Sequence, residues 1–291
     1  MTSSNRADVR DFLVTRRGRI TPQQAGLTFY GGNRRVPGLR REEVAMLAGV
    51  SADYCTRLEK GNLAGVSDSV LDAVANALQL DEAERMHLAD LARAANTSPA
   101  RAARRNVPAQ VRPGIRLILD GMADTPAFIR NGRLDILAAN TLGRALYSPL
   151  FDSRGGTPNL ARFRFFDPAA RQFYPDFADS ARTTVELLRT EAGRDPFSPS
   201  LTGLIGELST RSEEFRALWA AHNVRLHRTG VKHFRHPAVG RLDLMFEAMA
   251  LEADGLILTA YTAEQGTPSH DGLKLLASWS ATRQEQEIES S

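Results

Sequence analysis

Over the first hundred residues the apolar positions recur every three or four residues, the period of helices that bury one face; beyond residue 126, stretches of strict alternation sit between further helical runs. Residues 6–17 carry Val9, Phe12 and Leu13 at helical spacing, and a polar, glycine-containing connection runs from Thr21 to Gly38. Two short helices are predicted between Leu39 and Gly61. Ser67 is placed to cap a fourth, with Val70, Leu71, Val74, Ala75 and Leu78 inward. Asp81-Glu82-Ala83-Glu84 opens a fifth, which carries Met86, Leu88, Leu91 and Ala92. The N-terminal third is therefore expected to be a bundle of five helices.

The second and third of these helices carry the most specific pattern in the chain. Val44, Ala48, Val50, Cys55 and Leu58 fall on one side, while Arg41, Ser51, Asp53, Thr56, Arg57 and Lys60 stay free to face out. Where two helices cross closely a small residue is needed, and Ala45 supplies it; a tight turn needs a residue tolerant of positive φ, and Gly49 supplies that. Ser51 is a natural N-cap for the second of the pair, and Gly61 suits its stop. This is the spacing of a helix-turn-helix that reads DNA.

The stretch resembles the Xre/Cro-like repressors, and the run Val36-Pro37-Gly38-Leu39-Arg40-Arg41-Glu42-Glu43-Val44-Ala45, followed by Arg57-Leu58-Glu59-Lys60-Gly61, is similar to the MmyB-like regulators. The resemblance implies that the helix starting at Ser51 lies in the major groove of an operator. There Ala52 would meet a thymine methyl, Asp53 a cytosine amine, Thr56 either kind of edge and Arg57 the O6 and N7 of guanine. Arg40, Arg41 and Lys60 are candidates for phosphate. Arg34 and Arg35, in the connection, are placed either for a phosphate or minor groove or for solvent.

Past residue 113 the pattern mixes the two periods. Pro126–Arg130 and Arg133–Asn140 read as strands of a hairpin, with Asn131-Gly132 as a two-residue turn. Helical spacing follows at 141–147, 178–192 and 200–220, then strands at 231–236, 241–250 and 256–262. Two strands, several helices and three strands predict one five-stranded antiparallel sheet with helices on one face. The strand 241–250 sets Leu242, Leu244, Phe246, Ala248 and Ala250 against Asp243, Met245, Glu247 and Met249, so its inner face is apolar. Three prolines and four arginines between Ala94 and Pro113 read as a linker with the boundary near Val107. The chain thus divides into a helix-turn-helix domain at 1–95, a linker at 96–113, an α+β domain at 114–283 and a polar C-terminal tail at 284–291.

The order of elements in the C-terminal half is similar to a PAS domain. Arg130–Asp135, Pro158–Phe163, Glu207–Phe215, Leu218-Trp219 with His222, and Gly230-Val231-Lys232 resemble the C-terminal domain of MmyB-like regulators. The resemblance implies a PAS-like domain that binds a small apolar ligand, fatty acids being the leading class. An apolar sheet face covered by helices would offer Phe128, Phe163, Phe166, Leu218, Trp219 and Phe246 as lining. Arg130, Asn140, His222, Asn223 and Tyr261 would be the polar anchors. A filled core has the same pattern, so two other readings stay open: a ligand-free dimerisation or protein-contact module, and a diverged enzyme.

Composition narrows these further. At 291 residues with 42% hydrophobic content, the chain suits two cores. Residues 1–60 hold 11 Arg and Lys against 6 Asp and Glu, whereas the rest is slightly acidic, so the positive excess sits with the reading motif. Only Lys60, Lys232 and Lys274 are lysines. Cys55, the single cysteine, excludes an internal disulfide framework. No run approaches the ~18 apolar residues of a membrane helix, and Met1–Arg6 has no secretion-signal core, so a cytoplasmic protein is expected. His222, His227, His233 and His236 invite a metal reading, but a spacing of five on a helix separates two side chains by roughly 140° and a spacing of three on a strand reverses the face. With no phosphate loop, nucleophile elbow or zinc signature, no catalytic residue, metal or cofactor is expected beyond the apolar ligand. The expected partners are an operator duplex, that ligand and a second copy of the chain, with no membrane.

Overall fold

A computed structural model describes residues 3–27, 36, 38–97, 110–152 and 156–289. The chain forms two compact units, one of Met1–Asn106 with Arg189–Gly203 and Ala217–Leu226, the other of Val107–Leu188, Leu204–Arg216 and His227–Ser291. The expected division at a linker gave the first unit only its N-terminal segment. Two later segments join it through contacts such as Arg16 with His222, 206 residues apart, and Gly193 with His87, which no local pattern reveals.

In the first unit α1 (Ser3–Arg19), α2 (Arg41–Leu47), α3 (Ala52–Glu59), α4 (Asp68–Ala77) and α5 (Glu82–Ala95) bury the predicted positions except Val50, Val70 and Met86, which are half-buried. Val9, Phe12, Val44, Ala45, Cys55, Leu58, Val74, Leu88 and Leu91 share one core with Val224. Asp81 and Glu84 close a capping box at the start of α5, each side chain accepting the other residue's backbone N–H. Gly61 stands at φ +85°, and a Cβ there would lie 2.4 Å from the Arg6 carbonyl oxygen, so only glycine lets α3 end against α1.

The second unit opens with α6 (Pro113–Asp120), begun by a proline whose missing N–H is no loss in a first turn. Then come β1 (Ala127–Arg130), β2 (Ile136–Ala139), α7 (Thr141–Leu146), α8 (Ser148–Phe151), α9 (Leu160–Phe166), α10 (Ala169–Phe173), α11 (Phe177–Arg194), α12 (Pro199–Arg211) and α13 (Glu213–Ala220), of which α11 from Arg189, α12 as far as Gly203 and α13 from Ala217 belong to the first unit. β3 (Thr229–His236), β4 (Gly240–Leu251), β5 (Leu256–Thr262) and α14 (Pro268–Glu289) complete the chain. The strands form one antiparallel sheet in the order β2-β1-β5-β4-β3. This is the expected five-stranded α+β architecture.

Several local expectations are corrected. Helices do not keep to one face of the sheet: Leu119 of α6 is buried with Ala127, Ile129, Ala138, Leu256, Leu258 and Ala260 on the reverse side. The hairpin turn is not a two-residue Asn-Gly turn. Arg130 pairs with Ile136 across a bulge, and the positive φ of +69° falls on Leu134 rather than on Gly132. The Asn131 and Asp135 side chains set that longer loop, Asn131 Oδ1 accepting from Asp135 N at 3.0 Å and its Nδ2 donating to the Asp135 carboxylate at 2.9 Å. The helix expected at 200–220 breaks at Ser212, whose hydroxyl caps a new helix by accepting from Phe215 N at 3.1 Å. Ala250, expected inward, is exposed, because β4 beyond Glu247 runs past the end of β3. The polar residues from 284 onward continue α14 up to Glu289.

Candidate DNA-reading helix and candidate ligand site

The reading pair is built from the turn outward. Gly49 takes φ +64°, and Val50 N donates to Ala45 O at 3.0 Å, which folds α3 back on α2. The Ser51 hydroxyl accepts from Tyr54 N at 3.1 Å, satisfying an otherwise orphaned donor of α3. Cys55, Leu58 and Glu59 form the buried side of α3. Ser51, Ala52, Asp53, Arg57 and Lys60 are exposed, and Thr56 is half-buried. The predicted contact residues of α3 thus share its solvent side.

Glu59 organises the base of this surface. Its carboxylate is reached by Arg17 Nε and by Arg41 Nε, each at 2.5 Å, so two guanidiniums converge on one buried acid. Arg41 remains more than half exposed while making this bond. Arg57 lies with its guanidinium carbon 4.5 Å from the centre of the Tyr54 ring, a cation–π contact that limits its rotamers. Arg40 is exposed at the start of α2; Arg34 and Arg35 lie outside the described residues.

In the second unit, the sheet face covered by α7, α9 and α10 carries Phe128, Phe234, Leu242, Leu244, Phe246 and Tyr261. Phe163, Phe173, Tyr174 and Tyr147 close over them from the helices. The Tyr147 and Tyr261 hydroxyls are 2.6 Å apart, and burial pushes both phenols upward. Of the predicted ligand residues, Phe128, Phe163, Phe246 and Tyr261 meet in this cluster, and Arg130, two residues along β1 from Phe128, is buried.

The other predicted anchors are elsewhere. Asn140 caps α7: its Oδ1 accepts from Ala127 N and Gly143 N, and its Nδ2 donates to Met122 O and Thr125 O, so its hydrogen bonds all go to backbone. Phe166 lies 4.0 Å from the Arg211 guanidinium carbon. Leu218, Trp219, His222 and Asn223 belong to the first unit. There the Arg189 guanidinium sits 3.9 Å over Trp219 and 3.0 Å from His222 Nδ1, Arg16 donates to the His222 carbonyl at 2.6 Å, and Arg19 donates to Asn223 Oδ1. Burial, then Arg189, holds His222 down to about 4, so it is neutral at physiological pH.

Two cations in the second unit were not among the expected site residues. Arg164 of α9 is buried, its guanidinium carbon 3.2 Å from the Tyr174 ring centre. Lys232 of β3 shares a register face with Phe234, its ammonium 5.2 Å from the Phe246 ring and 5.9 Å from that of Tyr261. Desolvation, then Arg164 and Arg130, brings Lys232 down to about 7. The alternation Lys232, Phe234, His236 was the available signal for Lys232; Arg164, flanked by Phe163, Phe165 and Phe166, had none beyond its aromatic neighbours.

An exposed reading helix on a buried helical scaffold, followed in one chain by an α+β unit, defines a helix-turn-helix DNA-binding protein with a second functional domain. The family described as the MmyB-like transcription regulator ligand binding domain matches residues 111–276, and a helix-turn-helix domain family matches residues 15–88. The first match covers more than half of the chain, which belongs to the MmyB-like transcription regulators, a family of regulators and not of enzymes. A comparison with curated protein sequences finds no match. Among the described residues no helix is long and apolar enough to cross a membrane.

Proposed function

We propose that this regulator works in the cytoplasm as a homodimer on an operator, with affinity set by a small apolar, fatty-acid-like molecule held in the second unit. The observation that carries the DNA half is the division of α3: Cys55 and Leu58 anchor it, while Ala52, Asp53, Arg57 and Lys60 are free to meet base edges and phosphates. Arg40, Arg41 and, in the connection, Arg34 and Arg35 would add phosphate contacts that fix register. Two copies would place two reading helices in successive major grooves of an inverted repeat. Ligand acts by population shift: preferential binding to one arrangement of the two heads, by about 1–3 kcal/mol, changes occupancy roughly 5- to 150-fold.

The test is selection of bound sequences from a random duplex pool by the full chain, followed by titration of the selected operator with and without the lipid extracted from the purified protein. An inverted repeat whose affinity shifts with the extract supports the reading; a pool that stays random, or an affinity unmoved by the extract, overturns its respective half. The close mesh of rings around Tyr147 favours a second reading, a filled core serving dimerisation. Under that reading the extract is empty and the chain still dimerises.

A further inference from the structure

The ends of three helices from later in the chain are built into the first unit. Residues 189–203 hold the end of α11 and the start of α12, and residues 217–226 hold the end of α13 with the turn after it. The remainder of each helix belongs to the second unit. A packed helix shifts as a rigid element, so a displacement at one end arrives at the other.

Polar groups fasten these ends to α1. Arg189 is 3% exposed; its guanidinium lies over the Trp219 ring, donates to the Trp219 carbonyl and stands 3.0 Å from His222 Nδ1. The acid that acts most on it is Asp8 of α1. From the same helix, Arg16 donates to the His222 carbonyl at 2.6 Å, and Arg19 donates to the Ala221 carbonyl at 3.2 Å and to Asn223 Oδ1. His222 takes φ +51°, a left-handed conformation that is unfavourable for a residue with a Cβ. Arg189 Nε, Arg16 Nη1 and His87 Nδ1 are buried without a hydrogen-bond partner among the described residues. Apolar side chains would make a permanent joint; unmet donors and a strained turn bring the closed state nearer in energy to an open one.

On its other side α1 supports the reading pair. Arg17, the neighbour of Arg16, donates to Glu59 of α3 and to the Leu39 carbonyl at 2.7 Å, and Glu59 also receives Arg41. One helix thus meets the joint through Arg16 and Arg19 and the base of the reading surface through Arg17.

We propose that Arg189, clasped by Trp219 and His222, is a releasable joint that passes the ligand state of the second unit to α1 and, through Arg17 and Glu59, to the reading helix. The proposal rests on the reading of the chain as a ligand-responsive DNA binder, and it names the residues that carry the response. Arg189 is a positioning residue: it acts on the operator through α1. When the joint is closed, α1 is tied to the ends of α11 and α13. When it opens, the reading head keeps its own core of Val9, Phe12, Leu58 and Leu88, so DNA binding survives and only the response is lost.

The experiment titrates the full chain with its selected operator, with and without the lipid extracted from the purified protein, and reads the ratio of the two dissociation constants. In the parent the ratio is expected to be about fivefold or more. Arg189→Met should bring it to within about twofold, with the affinity measured without extract staying within about threefold of the parent. Asp8→Asn combined with Arg189→Met removes the acid together with its cation, which guards against a variant that fails to fold, and should lose the response in the same way. Arg194→Met, at an exposed position at the end of α11, keeps the parent's ratio. Trp279→Phe leaves Trp219 as the single tryptophan, and because coupling is reciprocal its emission should change when operator is added. A ratio unchanged in both Arg189 variants, or Trp219 emission unmoved by operator, overturns the joint and leaves the ligand reading standing. Operator affinity lost in both variants without extract makes Arg189 a support of the reading head and overturns the coupling. A parent whose affinity does not respond to the extract overturns the proposal together with the reading beneath it.

Discussion

Tyr147, at the end of α7, and Tyr261, on β5, share a hydrogen bond of 2.6 Å between phenolic hydroxyls, and neither ring has exposed surface. The bond joins a helix to the centre of the sheet across 114 residues of sequence. Removing one hydroxyl costs its partner this bond, a loss of about 1–3 kcal/mol; removing both costs the bond only once, although Tyr174, which also bonds Tyr147, then loses a partner. Tyr147→Phe and Tyr261→Phe are each expected to destabilise the chain by that amount in urea unfolding, and the double variant by less than their sum. Strict additivity would mean that the bond contributes nothing.

Arg57 is held over Tyr54 on the exposed side of α3, so it meets DNA with part of its side-chain entropy already lost. Arg57→Ala is expected to weaken the selected operator by about 1–3 kcal/mol and to relax preference at one base pair, with non-specific affinity nearly unchanged. Tyr54→Leu should lose less, because it frees Arg57 without deleting it. Competition titrations against single-base operator variants measure both effects. Equal weakening at every base pair would make Arg57 a phosphate contact.

How far these features were legible depends on the range over which they are determined. The reading pair was legible because each position answers to near neighbours: Gly49 to the turn, Ser51 to the third residue of α3, Cys55 and Leu58 to the helical period. The hairpin was misjudged at its turn because side chains, Asn131 with Asp135, outweighed the conformational preference of Gly132. The positions of α6 on the reverse face and of Trp219 and His222 in the first unit depend on contacts between distant segments. Arg164 was hidden for the same reason: an arginine in a short aromatic helix has the pattern of a solvated one until the sheet is laid against it.

Lys232 should weaken the empty protein. Its ammonium is pushed down to about 7 in the folded state against about 10.4 in an unfolded chain. Between those values the unfolded state binds more protons, so stability rises with pH across that window. Lys232→Met is expected to raise stability by about 1–2 kcal/mol at pH 7 and to flatten the rise between pH 7 and 10. Thermal melts of both proteins, stripped of lipid, across that range check this. A variant less stable than the parent would show that the ammonium already has a compensating partner.

His87 gives the first unit a sensitivity of its own to acid. The ring is buried, edge-on to Phe12 with centroids 5.0 Å apart, and Gly193 packs so tightly on it that a Cβ there would fall 2.5 Å from its ring atoms. Desolvation, then Arg189 and Arg16, holds it down to about 3, and the nearby His222 is held at about 4 by the same causes. Both are neutral in the fold and take up protons near pH 6.5 once unfolded. The unfolded state therefore binds more protons as pH falls below about 6.5, and stability declines from there toward 4. Asp8 works in the opposite direction, since burial raises its carboxyl. Urea unfolding at pH 7 and pH 5 should show a loss that shrinks in His87→Gln; an equal loss in parent and variant would show that His87 does not carry the acid sensitivity.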